Sequence, residues 1–525
     1  MNPKSRFLTC AALAVIAVAS IAPAQTNQTG APADMDAYAA RVLKEFEVPG
    51  IAVAIVKDGK IVLAKGYGVR KIGEPAPVDE NTLFGIASNT KAFTSAALAM
   101  LVDEGKITWD DPVVKHLPNF QLYDPYVTRE MTIRDLLTHR SGLGLGAGDL
   151  MFFPDSSNFE LKDIIYNLRF LKQVSGFRTK YDYDNNLYIV AGEVVARVTG
   201  KSWDDFVDER ILQPLGMSRT ATSFDRLKDK SNVIDAHAPV NGKVQVIARS
   251  TVKVGHPAGG INSNITDLSK WIQCWLNHGK YGEGLSKRLF SENVYREITS
   301  PQTIIQAGPG AYNTHFAAYG LGFFLSDEKG YKQVTHTGGL EGMVTQITMY
   351  PELNLGIIVL TNQQEGGAFV SITNQIKDSY FGITGTDRVT QYSAGRKLQL
   401  ATATHAVDSI WKEIETVQRS GKEKPDINLF TGTYRDAWFG DIVISVKNGK
   451  PWFDSKRSPK LTGELFFYKA NTFAVKWRDR SMDADAFLNF SLDENGKASG
   501  IKMKAISSTT DFSYDFHDLD LKRVE

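Results

Sequence analysis

Apolar residues recur along this chain with two different periods, and each change of period marks an element. Residues 35–46 read as a helix, and residues 51–56 and 60–67 as two β-rich apolar runs joined by Lys57-Asp58-Gly59, which predicts a hairpin. A Pro-containing connection, 73–78, and the polar lead-in Asp79-Glu80-Asn81-Thr82 bring the chain to Leu83-Phe84. An Ala/Leu-rich helix over 92–104 follows, which Gly105 closes as a C-cap. Further helices are predicted over 132–139, 187–199 and 203–217. Another, with Thr266 or Asp267 near its cap, carries Trp271 and Trp275 on one face. Residues 334–339, 344–350 and 356–361 then form an antiparallel meander that turns at 351–354.

Beyond residue 385 the pattern changes. Residues 388–417 are charged and helical in pattern, and Ser420-Gly421-Lys422-Glu423-Lys424-Pro425 reads as a linker. Short strands are expected at 433–434, 442–446, 465–469, 473–477, 487–492 and 501–505, with turns at Asn448-Gly449 and Asn495-Gly496. Strands so spaced predict a small antiparallel barrel or sandwich. A chain of 525 residues with 42% hydrophobic and 23% charged residues has the make-up of a soluble protein of two or three domains. The formal net charge is +1, and no Lys/Arg-rich run interleaves with aromatics, so neither nucleic acid nor an anionic membrane is an expected partner. A small molecule or a peptide is.

The first residues have the layout of an export signal: Lys4 and Arg6, an apolar stretch over 7–21, then Ala22-Pro23-Ala24 before Gln25. Cleavage after Ala24 would place the mature protein in the periplasm or outside the cell. The apolar stretch is short for a membrane span and no other stretch approaches one, so no stable membrane insertion is expected. Removal of residues 1–24 leaves Cys274 without another cysteine, which excludes an internal disulfide. Between Gln273 and Trp275 in an apolar helical pattern, Cys274 reads as a core residue.

Three places carry candidate chemistry. Ser88 and Lys91 stand three apart at a helix start, hence one turn apart on one face, so an amine can sit beside a hydroxyl and take its proton if burial lowers its pKa. Tyr183 precedes the helix over 187–199; beside a lysine a tyrosine loses its proton more readily and serves as general acid or base, while Asn185 can grip an amide. His336-Thr337-Gly338-Gly339 lies at a strand edge, where a cationic or hydrogen-bonding side chain beside open backbone N–H groups can hold a carboxylate or an oxyanion. Pro257-Ala258-Gly259-Gly260 fits either a close backbone approach near a site or a tight turn. Gly144, Gly146 and Gly148 follow a helix instead of a strand, which argues for a flexible loop and against a nucleotide-binding one. His139 reads as a packed histidine bonded to backbone; no metal-ligand spacing surrounds it, and no cofactor is implied.

In this order, Ser-x-x-Lys, Tyr-x-Asn and His-Thr-Gly resemble the penicillin-recognising serine hydrolases, especially the class C β-lactamase-like branch. Leu136-Leu137-Thr138-His139-Arg140-Ser141-Gly142 and Pro257-Ala258-Gly259-Gly260 add to the likeness, which covers residues 30–385. The resemblance implies an α+β fold: an antiparallel sheet flanked by helices, with a helical insertion whose interface holds the site. It implies Ser88 as nucleophile, Lys91 as adjacent base, Tyr183 as general acid/base, Asn185 as substrate-orienting group, and the N–H groups of Ser88 and Gly339 as an oxyanion hole. His336 and Thr337 would bind substrate. His336 stands where β-lactamases usually carry lysine, and a partly protonated histidine offers a weaker field for a substrate carboxylate. Hydrolysis of a carboxylic ester or a peptide amide through an acyl-enzyme is therefore favoured over β-lactamase or D-alanyl-D-alanine carboxypeptidase activity. A non-catalytic penicillin-binding sensor is the alternative of another class. No Gly-x-Ser-x-Gly points to an α/β-hydrolase. Residues 386–425 read as a helical linker and 426–525 as a β-barrel resembling the lipocalin-like domain appended to such hydrolases, able to cover the site, pair subunits into a homo-oligomer, or stabilise.

Overall fold

The computed structural model describes residues 30–308, 310–420 and 425–524. The residues read as an export signal and most of the linker at 420–425 lie outside them. The expected hairpin forms as β1 (Gly50–Lys57) and β2 (Lys60–Gly68). Far along the chain come β3 (Thr303–Ile305), β4 (Ala317–Tyr319), β5 (Phe324–Glu328), β6 (Tyr331–Leu340), β7 (Met343–Tyr350) and β8 (Leu355–Thr361). All eight join one antiparallel sheet in the order β2-β1-β8-β7-β6-β5-β4-β3. Its two halves meet where β1 pairs with β8, from Ile51 opposite Thr361 to Lys57 opposite Leu355. Both of these strands are apolar at nearly every position, as strands covered on both faces must be.

On one face pack α1 (Met35–Glu45) and, from after the meander, α5 (Gly366–Tyr380). The other face carries α2 (Lys91–Asp103), α3 (Asn186–Thr199) and α4 (Ile265–Leu276), all contributed by the long segment between β2 and β3. Helix α2 is buried from Lys91 to Leu101, so it is a core helix with no solvated face. Phe93 of α2 stacks on Trp271 of α4 at 4.0 Å, which uses the tryptophan face read from the sequence. Cys274 is buried on the same helix.

Two local readings differ, and a third is completed. The helix expected over 132–139 spans only Ile133–Leu136, because Thr132 and Asp135 close a capping box and the chain then reverses at His139, whose φ is 54°. The helix expected over 203–217 is α-helical only over Trp203–Val207 and continues as a π-helical turn over Asp208–Leu212 before Pro214 ends it. Asn264, which the sequence reading did not name, caps α4 by accepting from Asp267 N at 2.8 Å, with Thr266 and Asp267 in the first turn as read.

Residues 388–419 form one helix, α6 (Arg388–Arg419), pinned to the hydrolase domain where Arg388 grips Asp378 at 2.6 and 2.8 Å. Near its other end Trp411 packs edge-on against Phe466 of the second domain at 5.5 Å. That domain is a closed eight-stranded barrel. The strands beyond those expected are Lys450–Ser455 and Leu521–Arg523; the latter pairs with Gly432–Asp436 and Ala498–Ala505 and closes the barrel. Three residues are too few to show a pattern in sequence. Phe430, Phe473, Phe490, Phe453 and Trp477 are buried together, so this barrel holds a packed aromatic core.

Candidate active site

Ser88 sits on a turn that the surrounding sheet holds in place. Phe84–Gly85 pairs with Asn262–Ser263, and Ile86 N donates to Ile261 O at 2.9 Å. Ala87 then adopts a left-handed conformation with φ 50°, which costs a residue with a Cβ about 1 kcal/mol or more. The reversal leaves Ser88 half-buried between fully buried neighbours, and the tight turn Ala87–Thr90 runs straight into α2. Asn89 Nδ2 donates to Thr345 Oγ1 of β7 at 2.9 Å, and Thr90 Oγ1 accepts from Ile261 N at 3.2 Å.

One turn on, Lys91 is fully buried with Nζ 3.2 Å from Ser88 Oγ, 2.7 Å from Asn185 Oδ1 and 2.9 Å from Ala258 O. None of these partners is charged. Burial lowers the amine to about 7, against the opposing pull of Asp149 and Asp184. A neutral amine has two hydrogens and a lone pair, so it can donate to Asn185 and Ala258 while accepting from Ser88. The glycine-rich 257–260 segment thus makes a close approach to α2: Thr94 Oγ1 donates to Pro257 O at 2.7 Å, and a Cβ on Gly192 of α3 would lie 2.2 Å from Pro257 Cγ.

Tyr183 hydrogen-bonds Ser88, and Lys91 Nζ stands 4.8 Å from its ring centre. The lysine does not ease its ionisation, as the sequence suggested. Burial pushes the phenol well above its ordinary value, and a lysine itself near neutrality supplies little field. Tyr183 is therefore a proton donor at rest. His139 packs against it at 4.3 Å and accepts from Asp184 N through Nδ1 at 3.0 Å, the backbone-bonded role read from the sequence. Asn185 leads into α3 and bridges two groups, accepting from Lys91 and donating to Asp149 Oδ2 at 2.8 Å.

The third motif arrives at the edge of this cluster. β5 pairs with β6 only as far as Thr335, so residues 336–340 extend past it, and Gly338 lets the Ser88 turn pack closely: a Cβ there would lie 2.2 Å from Ile86 O. His336 is buried, with Nε2 2.9 Å from Tyr319 Oη and Nδ1 2.5 Å from Thr337 O. Burial and the neighbouring Lys91 bring it down to about 3, so the partial positive charge expected of it is absent at neutral pH. Among the described residues its hydrogen bonds go to Tyr319 and Thr337, not to Ser88 or Lys91, and its ring lies 6.2 Å from that of Tyr183. Thr337 and Gly339 are exposed, and a side chain at Gly339 would meet nothing within 4 Å.

Several site residues escaped sequence reading. Asp149, buried, accepts from Asn185 and from Ser513 Oγ at 2.8 Å, and burial holds its carboxyl well above the usual range. Asp184, burial-shifted to about 7, lies between Tyr183 and Asn185, a signal that was available. Asp515 accepts from Gly148 N at 2.7 Å and Leu150 N at 3.0 Å. The glycine loop over 142–148 is accordingly buried at most positions and tied down, where a flexible loop was expected. Ser513 and Asp515 belong to the barrel, and no local pattern could have placed them here.

Residues 35–379 match the family model Beta-lactamase, and residues 420–523 match the domain of unknown function DUF3471. The chain belongs to the β-lactamase family. Among curated relatives, the unguisins hydrolase ungD of Aspergillus violaceofuscus is 27% identical over 451 residues, covering 81% of this chain and 78% of the relative. The unguisins hydrolase ungD' of Aspergillus campestris is 30% identical over 64% of this chain and 63% of its own length. Protein flp of Staphylococcus aureus is 27% identical over 61% of each. The chain thus spans less than two thirds of the latter two. This β-lactamase-family protein is a serine hydrolase. Among solved structures, the octameric penicillin-binding protein homologue from Pyrococcus abyssi superposes with TM-score 0.57 at 20% identity, covering 91% of this chain and 98% of that one, a likeness of fold alone.

Proposed function

We propose that this serine hydrolase cleaves a carboxylic ester or peptide amide through an acyl-enzyme on Ser88. The observation that carries the reading is the buried Lys91 amine, brought down to about 7 and 3.2 Å from Ser88 Oγ. Neutral Lys91 takes the Ser88 proton as Oγ bonds to the substrate carbonyl carbon. The oxyanion that forms lies against the N–H groups of Ser88 and Gly339, where one donor is typically worth about 3 kcal/mol of barrier. Tyr183 gives its proton to the departing oxygen or nitrogen as that bond breaks, and recovers one from Lys91. Water then attacks the acyl carbon, its proton passes to the Lys91–Tyr183 pair, and Ser88 leaves with a proton restored. Asn185 fixes Lys91 and orients the substrate beside Thr337.

A β-lactam substrate is disfavoured by the neutral His336, which offers no charge to a ring carboxylate. The naming of two fungal relatives as hydrolases of unguisins supports the search for substrates outside the β-lactams. Cleavage of the export signal read at residues 1–24 would put the enzyme in the periplasm or outside the cell, which cell fractionation checks. The deciding experiment is hydrolysis of p-nitrophenyl esters, D- and L-amino-acid amides, short peptides and a chromogenic cephalosporin, with Ser88→Ala alongside. Turnover of esters or amides that Ser88→Ala loses by several orders of magnitude is expected; undiminished turnover by the variant overturns the reading, and penicillin labelling with no turnover replaces it with a sensor.

A further inference from the structure

The last loop of the barrel enters the hydrolase site and leaves an aromatic ring there. Ser513 donates to Asp149, and Asp515 accepts from Gly148 N and Leu150 N, so residues on both sides of Tyr514 are anchored on buried groups of the catalytic domain. Tyr514 itself packs edge-on against Phe153 at 5.0 Å. Phe512, next to these anchors, stays 39% exposed while its ring stands edge-on to Tyr183 at 5.8 Å. A Cβ on Gly146 would lie 2.8 Å from Phe512 Cδ2, so that glycine lets the ring settle over the loop, while Val174 stands over Gly144, where a Cβ would meet Val174 Cγ2 at an ordinary contact distance of 3.6 Å. Leu145 stands between the two glycines in the chain. Leu145 and Val174 are 44% and 62% exposed. Apolar groups left bare in such a cluster, beside the residue that handles the proton, mark a surface that a ligand covers.

We infer that Phe512, Leu145 and Val174 form an apolar subsite that receives a bulky apolar leaving group, and that the appended barrel thereby supplies a specificity-determining residue to the hydrolase. The inference rests on the proposed function, because it is Tyr183, against which Phe512 packs, that protonates the leaving group there. The occupant is the alcohol or amine portion of the substrate, not its acyl portion.

The test compares substrates that share an acyl group and differ only in what departs: ethyl acetate against 2-phenylethyl acetate, and N-acetylalanylglycine against N-acetylalanylphenylalanine. The wild-type enzyme is expected to prefer the aromatic member by about tenfold or more in kcat/KM, the scale that burial of a few apolar carbons gives. Phe512→Ala should remove most of that preference, slowing the aromatic member far more than the small one, and Phe512→Leu should restore part of it. Leu145→Ser, in the other domain, should reduce the same ratio. Equal turnover of both members by the wild type, a preference unchanged in Phe512→Ala, or an equal fall for both members overturns the inference. Absence of Ser88-dependent turnover of every member fails the proposed function itself, and so tells the two failures apart.

Discussion

Lys91, at the start of α2, and Lys377, in α5 on the other side of the sheet, are both buried, and burial lowers both amines from the usual lysine value. Their partners differ. Lys377 Nζ lies 3.1 and 3.3 Å from the two oxygens of Glu328, whose carboxylate also accepts from Tyr350 Oη. Lys91 Nζ hydrogen-bonds a hydroxyl, an amide oxygen and a backbone carbonyl, and none of these carries a charge. A carboxylate in contact favours the ammonium, and the result is a buried ion pair that ties α5 to β5. Uncharged acceptors satisfy the amine's hydrogens without offsetting the desolvation of its charge, and the result is a base. The two carboxyls near Lys91, Asp149 and Asp184, are kept from replacing Ser88 as partners because Asn185 holds one and the first turn of α3 holds the other.

The difference breaks most visibly on the removal of each lysine. Lys91→Met should lower kcat/KM by a factor of about a thousand or more, with a smaller loss of stability than Lys377→Met, since it leaves two neutral acceptors unpaired but strands no charge; near-normal hydrolysis would erase the distinction. Lys377→Met should do the reverse: a loss of about 3–5 kcal/mol in urea denaturation, because Glu328 is left buried without its cation. Full stability there would mean the ion pair holds nothing. Tyr183→Phe, which keeps the ring and deletes the donor, should cost about a hundredfold in turnover at unchanged thermal midpoint.

The smallest effect is the most specific. The neutral amine is the reactive form and its value in the folded protein is about 7, so kcat/KM should rise with pH through about 7 and level off above it. A rising limb centred near the ordinary lysine value would show that burial leaves Lys91 a cation.

Much of the site could be read in the chain because its groups come as short local motifs. Ser88 and Lys91 are one helical turn apart, and Tyr183 and Asn185 lie just ahead of α3, so local geometry alone limits how they can point. His336 shows where that reasoning stops. Its strand was legible, but its charge depends on burial and on the neighbouring Lys91, which only the folded chain brings together. The glycines over 142–148 were equally ambiguous, since a loop that is mobile alone becomes a buried seat once Asp515 caps its N–H groups.

Sequence by itself determined the hairpin, the meander, the core helix behind Ser88 and the strands of a second domain, because hydrophobic period and turn chemistry act over a few residues. Tertiary structure decided which lysine is a base, that the phenol of Tyr183 stays protonated and His336 neutral, and that Phe512, Ser513 and Asp515 sit in the site. Desolvation and contact between segments hundreds of residues apart exist only after folding brings them together.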